Sequence, residues 1–104
     1  MDKAEIINKL IAYRKLLESY FEVEDVFLFG SYAKDNPRED SDIDVAIIVS
    51  KLSKDYFSDT PIAWRLRRQI DDRIEPLLFE KGKDESGFLK EIQKTGIEIK
   101  VEKS

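Results

Sequence analysis

A chain of 104 residues with a net charge of −4 has room for one hydrophobic core, taken as a single domain over 1–104. It lacks the basic balance by which proteins neutralise nucleic-acid phosphates, so strong nucleic-acid binding is not expected. With neither cysteine nor histidine, disulfides, thiolate metal sites and imidazole catalysis are excluded, which leaves carboxylates, lysines, arginines, hydroxyls and backbone amides.

In 3–21 the positions Ile6, Ile7, Leu10, Ile11, Leu17, Tyr20 and Phe21 recur at spacings of three and four, which predicts an amphipathic helix with Asp2 as its N-cap. Residues 23–29 shift to β-formers and stop at Gly30, a strand entering a tight turn. The polar stretch 34–40 follows and has no core composition. Residues 43–49 read as a second strand whose last five residues are apolar throughout, as in a central strand covered on both faces. A polar connection is expected over 50–59, then a helix over 62–70 with Pro61 in its first turn. Residues 72–79 predict a third strand, at a sheet edge or a bulge because of Pro76.

A loop over 81–87 and a short helix over 88–94 come next, ended by Thr95-Gly96. The tail 97–101 alternates like a strand, a kind of segment that often stays unpaired until a partner orders it. No apolar stretch approaches the roughly 20 residues that cross a bilayer, and no signal-peptide pattern opens the chain, so a cytoplasmic protein without membrane contact is expected. The pattern as a whole predicts an α/β (α+β) fold, a short mixed β-sheet with packed helices.

Asp42 and Asp44 stand two apart at the head of the second strand, so their side chains share a face while Ile43 enters the core. Two such charges about 4 Å apart repel by roughly 4 kcal/mol at an effective dielectric near 20, and a cation between them is the simplest relief. An all-oxygen set favours magnesium or manganese over zinc. Glu75, in the third strand, could bring a further carboxylate to the same cluster, and three acids would serve two ions. Asp71 and Asp72 are alternatives for that third acid, although their place at a helix-to-strand junction looks more solvent-facing. Gly30 permits a backbone turn whose N–H groups face an anion, and the Ser31 hydroxyl adds a donor. Lys34 and Arg38 could steer a triphosphate, while Arg65, Arg67 and Arg68 read foremost as a solvated helix face paired with nearby acids.

Gly30-Ser31, ten residues, then Asp42-Ile43-Asp44 resembles the signature of the polymerase-β-like nucleotidyltransferase superfamily. The fuller string, Gly30-Ser31-Tyr32-Ala33-Lys34 through Ser41-Asp42-Ile43-Asp44-Val45, is similar to the minimal nucleotidyltransferases often encoded beside HEPN-domain proteins, over nearly the whole chain. Asp35 departs from the glycine common there, and the third acid is Glu rather than Asp. The resemblance implies the polymerase-β-like fold, nucleotide phosphates against Gly30 and Ser31, and magnesium held by Asp42 and Asp44 with Glu75 as third acid. It further implies ATP as substrate and a HEPN-type ribonuclease toxin as partner. The chain would then be an antitoxin, acting by adding adenylate to its partner or, in a catalytically reduced form, by docking alone.

Overall fold

The structure is a computed structural model and describes residues 3–30, 42–52, 56–83 and 86–101. Asp2, the expected N-cap, lies outside them. Strand β1 (Val23–Phe29) runs antiparallel to β2 (Ile43–Val49), with Val26 opposite Ile47, Leu28 opposite Val45 and Phe29 opposite Asp44. Strand β3 (Ile74–Glu80) lies parallel on the other side of β2, with Asp44 opposite Glu75. The short β4 (Ile97–Glu98) pairs antiparallel with β1, so the order across the sheet is β3-β2-β1-β4. The sheet is therefore mixed, with helices on both sides, as the alternation of patterns predicts.

Residues opposite one another in a ladder share a face, and this sorts the core into two layers. Ile43, Val45, Ile47 and Val49 join Val26, Leu28, Ile74 and Leu78 on one face. They are covered by α1 (Lys3–Leu17) through Ile6, Leu10, Tyr13 and Leu17, and by α2 (Tyr56–Leu66) through Ala63 and Leu66. On the other face Phe27, Ala46 and Ile48 pack with Leu89 and Ile92 of α3 (Phe88–Thr95). Each fully buried aliphatic side chain contributes about 1.5–3 kcal/mol, and β2 supplies them to both layers.

The helices differ from expectation in instructive ways. Helix α1 stops at Leu17, a turn before Phe21, and Tyr20 is 56% exposed. Its buried stripe runs through Tyr13 and Arg14, while Ile7 and Ile11 are only partly covered. Long amphipathic side chains bury their stems when the polar head finds a partner. The Tyr13 hydroxyl donates to the Ala63 carbonyl at 2.6 Å, and Arg14 Nη1 donates to the Ile99 carbonyl at 2.9 Å. Helix α2 begins at Tyr56, inside the expected polar connection, and carries Pro61 in its interior rather than its first turn. The burial of Ala63 and Leu66 against the sheet offsets the backbone hydrogen bond that proline forfeits. A 3-10 turn, Arg67–Gln69, then leads to β3.

The tail, which sequence alone left free to wait for a partner, is paired. Gly96 ends α3 with its N–H donating to the Ile92 carbonyl at 2.7 Å, and a Cβ there would lie 2.8 Å from the Leu28 carbonyl oxygen. That close approach lets the chain turn straight into β4, and beyond it the Ile99 N–H donates to Val26 at 2.8 Å. Among the described residues no helix is long and apolar enough to cross a membrane.

Candidate active site

The parallel pairing of β2 with β3 brings the acids together. Asp44 and Glu75 face each other across the ladder on the α3 side of the sheet, both half-buried, and Asp42 stands exposed just ahead of β2. The Ile43 N–H donates to the Arg73 carbonyl at 2.8 Å, which pins the starts of the two strands level.

Burial raises the Asp44 carboxyl above its ordinary range, the Asp42 charge raises it further, and a hydrogen bond with Glu75 partly offsets both. Glu75 is likewise raised by burial first, then by the charge of Asp42 and a hydrogen bond with it, and by the same pair of effects from Asp44. Three carboxyl groups within hydrogen-bonding reach must share protons or accept a cation.

Gly30 closes the other side. It ends β1 with φ of 77°, and a Cβ there would overlap Asp44 Oδ2 and lie 3.1 Å from Asp44 Cγ, so the residue is glycine for space as well as for conformation. Ser31 and Lys34, with Tyr32 and Arg38, fall in 31–41, outside the described residues.

The alternative acids do not join the cluster. Asp71, read from sequence as more solvent-facing, has a side chain only 10% exposed, between Lys9 Nζ at 2.9 Å and Arg73 Nη2 at 2.9 Å. The Arg73 hydrogen bond, foremost, holds its carboxyl far below the usual range against the opposing effect of burial. Asp72 is exposed, and its carbonyl accepts from Arg67 Nη1.

Among the described residues no group of three or more acids is arranged to hold a metal ion as it stands. The chemistry of the donor set nevertheless fits a hard divalent cation. Asp42, Asp44 and Glu75 offer only oxygen, Asp44 and Glu75 are destabilised as anions by burial and by the charge of Asp42, and the missing Cβ of Gly30 leaves Asp44 Oδ2 its space.

Sequence reading passed over the aromatic ground beside the acids. Phe29, opposite Asp44, meets Phe88 edge-on at 6.0 Å, and Phe79 meets the same ring at 6.2 Å. Phe88 is 45% exposed, so an apolar ring surface lies open on the acid-bearing face. The available signal was parity, since Phe27 and Phe29 share a face with Asp44 once β1 and β2 are paired.

Residues 9–104 match the family model described as Polymerase beta, Nucleotidyltransferase. The chain belongs to this nucleotidyltransferase family. Across 99 residues the nucleotidyltransferase is 30% identical to a Methanocaldococcus jannaschii protein provisionally named a protein adenylyltransferase, covering 91% of this chain and 99% of that one. A second protein of that organism, with the same provisional name, is 39% identical over 72% of this chain and 67% of its own length. Among solved structures, the fold matches a provisionally named nucleotidyltransferase of Sulfolobus solfataricus with a TM-score of 0.69 at 17% identity, covering 92% of this chain and 80% of that one. It also matches a chain of a toxin-antitoxin complex crystallised with AMP-PNP, at a TM-score of 0.66 and 21% identity, over 93% and 74% of the two chains.

Proposed function

We propose that this nucleotidyltransferase moves AMP from ATP to a hydroxyl group on a HEPN-type toxin partner and thereby acts as its antitoxin in the cytoplasm. The observation that carries the reading is the meeting of Asp42, Asp44 and Glu75 on one sheet face against the Cβ-free flank of Gly30. Magnesium, one ion or two, would be held by these three acids and would supply charge neutralisation for the triphosphate. Gly30, together with Ser31 and Lys34, is assigned to the phosphates. The acceptor oxygen forms its bond to the α-phosphorus as the bond from that phosphorus to the bridging oxygen breaks, and pyrophosphate leaves. The acceptor's proton passes to a carboxylate of the cluster, for which Glu75, whose carboxyl is raised, is the candidate. The provisional protein-adenylyltransferase names of the M. jannaschii relatives support a protein acceptor, and the toxin-antitoxin complex with AMP-PNP supports both the nucleotide and the toxin.

The test is calorimetric titration of the chain with ATP, with and without magnesium, repeated on Asp42→Asn. Magnesium-dependent binding that the variant loses is the expected result. Equal binding by the variant would remove Asp42 from the site, and absence of binding by the native chain in every condition would overturn the transfer reading.

A further inference from the structure

A hollow lies on the layer of the molecule opposite the acids. Helix α2 packs Ala63 and Leu66 on the sheet face formed by Ile43, Val45 and Ile74, whereas Asp44 and Glu75 take the other face. Where α2 passes into the 3-10 turn, Pro61, Trp64, Arg65, Arg67 and Arg68 line a cavity of ≈ 270 Å³. The three arginines do different things there. Arg67 is committed internally, with its guanidinium carbon 4.6 Å from the centre of the Trp64 ring and Nη1 donating to the carbonyls of Asp72 and Ile74. It holds the indole in place. Arg65 and Arg68 are exposed, as the solvated face expected from sequence requires, but have no ion-pair partner among the described residues.

We infer that this hollow docks an acidic helical turn of the protein partner, with Trp64 as floor and Arg65 and Arg68 as clamps. The inference rests on the reading above that the chain works on a protein partner. Three observations select this occupant. The cavity falls just below the 300–1,000 Å³ of a small-molecule site, so it takes side chains better than a free ligand. Arg65, in the last turn of α2, and Arg68, in the 3-10 turn, are three residues and so about one turn apart, which matches carboxylates presented one turn apart on a facing helix. Finally, the net charge of −4 repels an extended polyanion, whereas a short acidic turn meets only the local positive patch. Docking and transfer would then use opposite layers, and a partner held at Arg65 and Arg68 would reach the acids by a separate segment.

Trp64 is the chain's single tryptophan, so its fluorescence reports the hollow without a label. The titrant is a synthetic helical peptide with glutamates one turn apart, compared with the same composition broken by a central proline, with inorganic pyrophosphate and with a single-stranded oligonucleotide. The expected result is a saturable emission change with the helical peptide, shifted at least tenfold to higher concentration by the proline and by the double variant R65E/R68E. No response to the helical peptide, an equal response in the variant, or a response at lower concentration to pyrophosphate or oligonucleotide would overturn the inference. Magnesium-ATP titration of the same variant separates the two proposals. R65E/R68E is expected to bind ATP like the native chain, and loss of ATP binding there would show that the two layers are not independent.

Discussion

Gly30 and Asp44 occupy one shared space: the place where a side chain on Gly30 would begin is already taken by the Asp44 carboxylate. The substitution Gly30→Ala must therefore displace Asp44 while also holding a Cβ at a φ of 77°. The left-handed conformation alone costs about 1 kcal/mol, which a 104-residue domain tolerates. Magnesium-ATP affinity is expected to fall at least tenfold with the circular-dichroism spectrum unchanged. Native affinity in a folded Gly30→Ala would show that Asp44 is not held against the turn.

Asp44→Asn is expected to stabilise the metal-free protein while removing its magnesium-dependent nucleotide binding. A carboxyl whose folded pKa is raised contributes stability below its unfolded pKa and loses it as pH rises through the folded value, so at neutral pH the ionised Asp44 opposes folding. Relief on the order of 0.5 kcal/mol would raise the melting midpoint by about 2–4 °C in chelator at low salt. A midpoint that falls would contradict the repulsion ascribed to the cluster.

Asp71 behaves in the opposite sense. Its depressed carboxyl, held by Arg73 and Lys9, contributes stability that is complete above the ordinary carboxylate pKa near 4 and is lost as pH falls toward the folded value. Asp71→Asn is expected to cost about 1–2 kcal/mol at pH 7 and to melt closer to the native protein at pH 3. Melting curves at the two pH values check this, and a constant difference between the proteins would remove the ion pairs as its source.

Arg14 ties α1 to the C-terminal segment through the Ile99 carbonyl at 2.9 Å and the Glu24 carbonyl at 3.4 Å. Replacement by methionine keeps most of the buried volume and leaves those acceptors without the guanidinium, at an expected cost on the order of 2 kcal/mol. Hydrogen exchange at the Ile99 amide, which bonds Val26, should accelerate more than at the centre of β2. Uniform acceleration would show that the tail is not a separate unit of stability.

How much of this was legible beforehand depends on the kind of residue. Strands β1 and β2 could be read because their patterns are dictated locally, by alternation, by apolar continuity and by Gly30 as a stop. The pair Asp42 and Asp44 followed from a strand's period of two, whereas Glu75 needed the parallel register that only assembly supplies. Helix α2 was hidden from its start at Tyr56 because Ser58, Asp59 and Pro61 each favour non-helical backbone in isolation, and tertiary burial overrides them. Asp71 was misjudged as solvent-facing, and the buried Arg14 left no mark in the sequence pattern, for a shared reason. A charged residue reads as solvated until its partners, Ile99 in one case and Lys9 in the other, are brought from far along the chain.

The strand order has a consequence for how the protein behaves when crowded. A sheet left open on both sides can recruit neighbours through its unpaired backbone, the route by which β-proteins aggregate. Here one margin is β4, two residues long, and the other is β3, interrupted by Pro76, with no strand beyond it among the described residues. A very short border and a border lacking one N–H are both poor templates for a stranger's chain. The proline that marked β3 as an edge strand in the sequence thus doubles as a guard, making that open border a poorer template for a neighbouring strand.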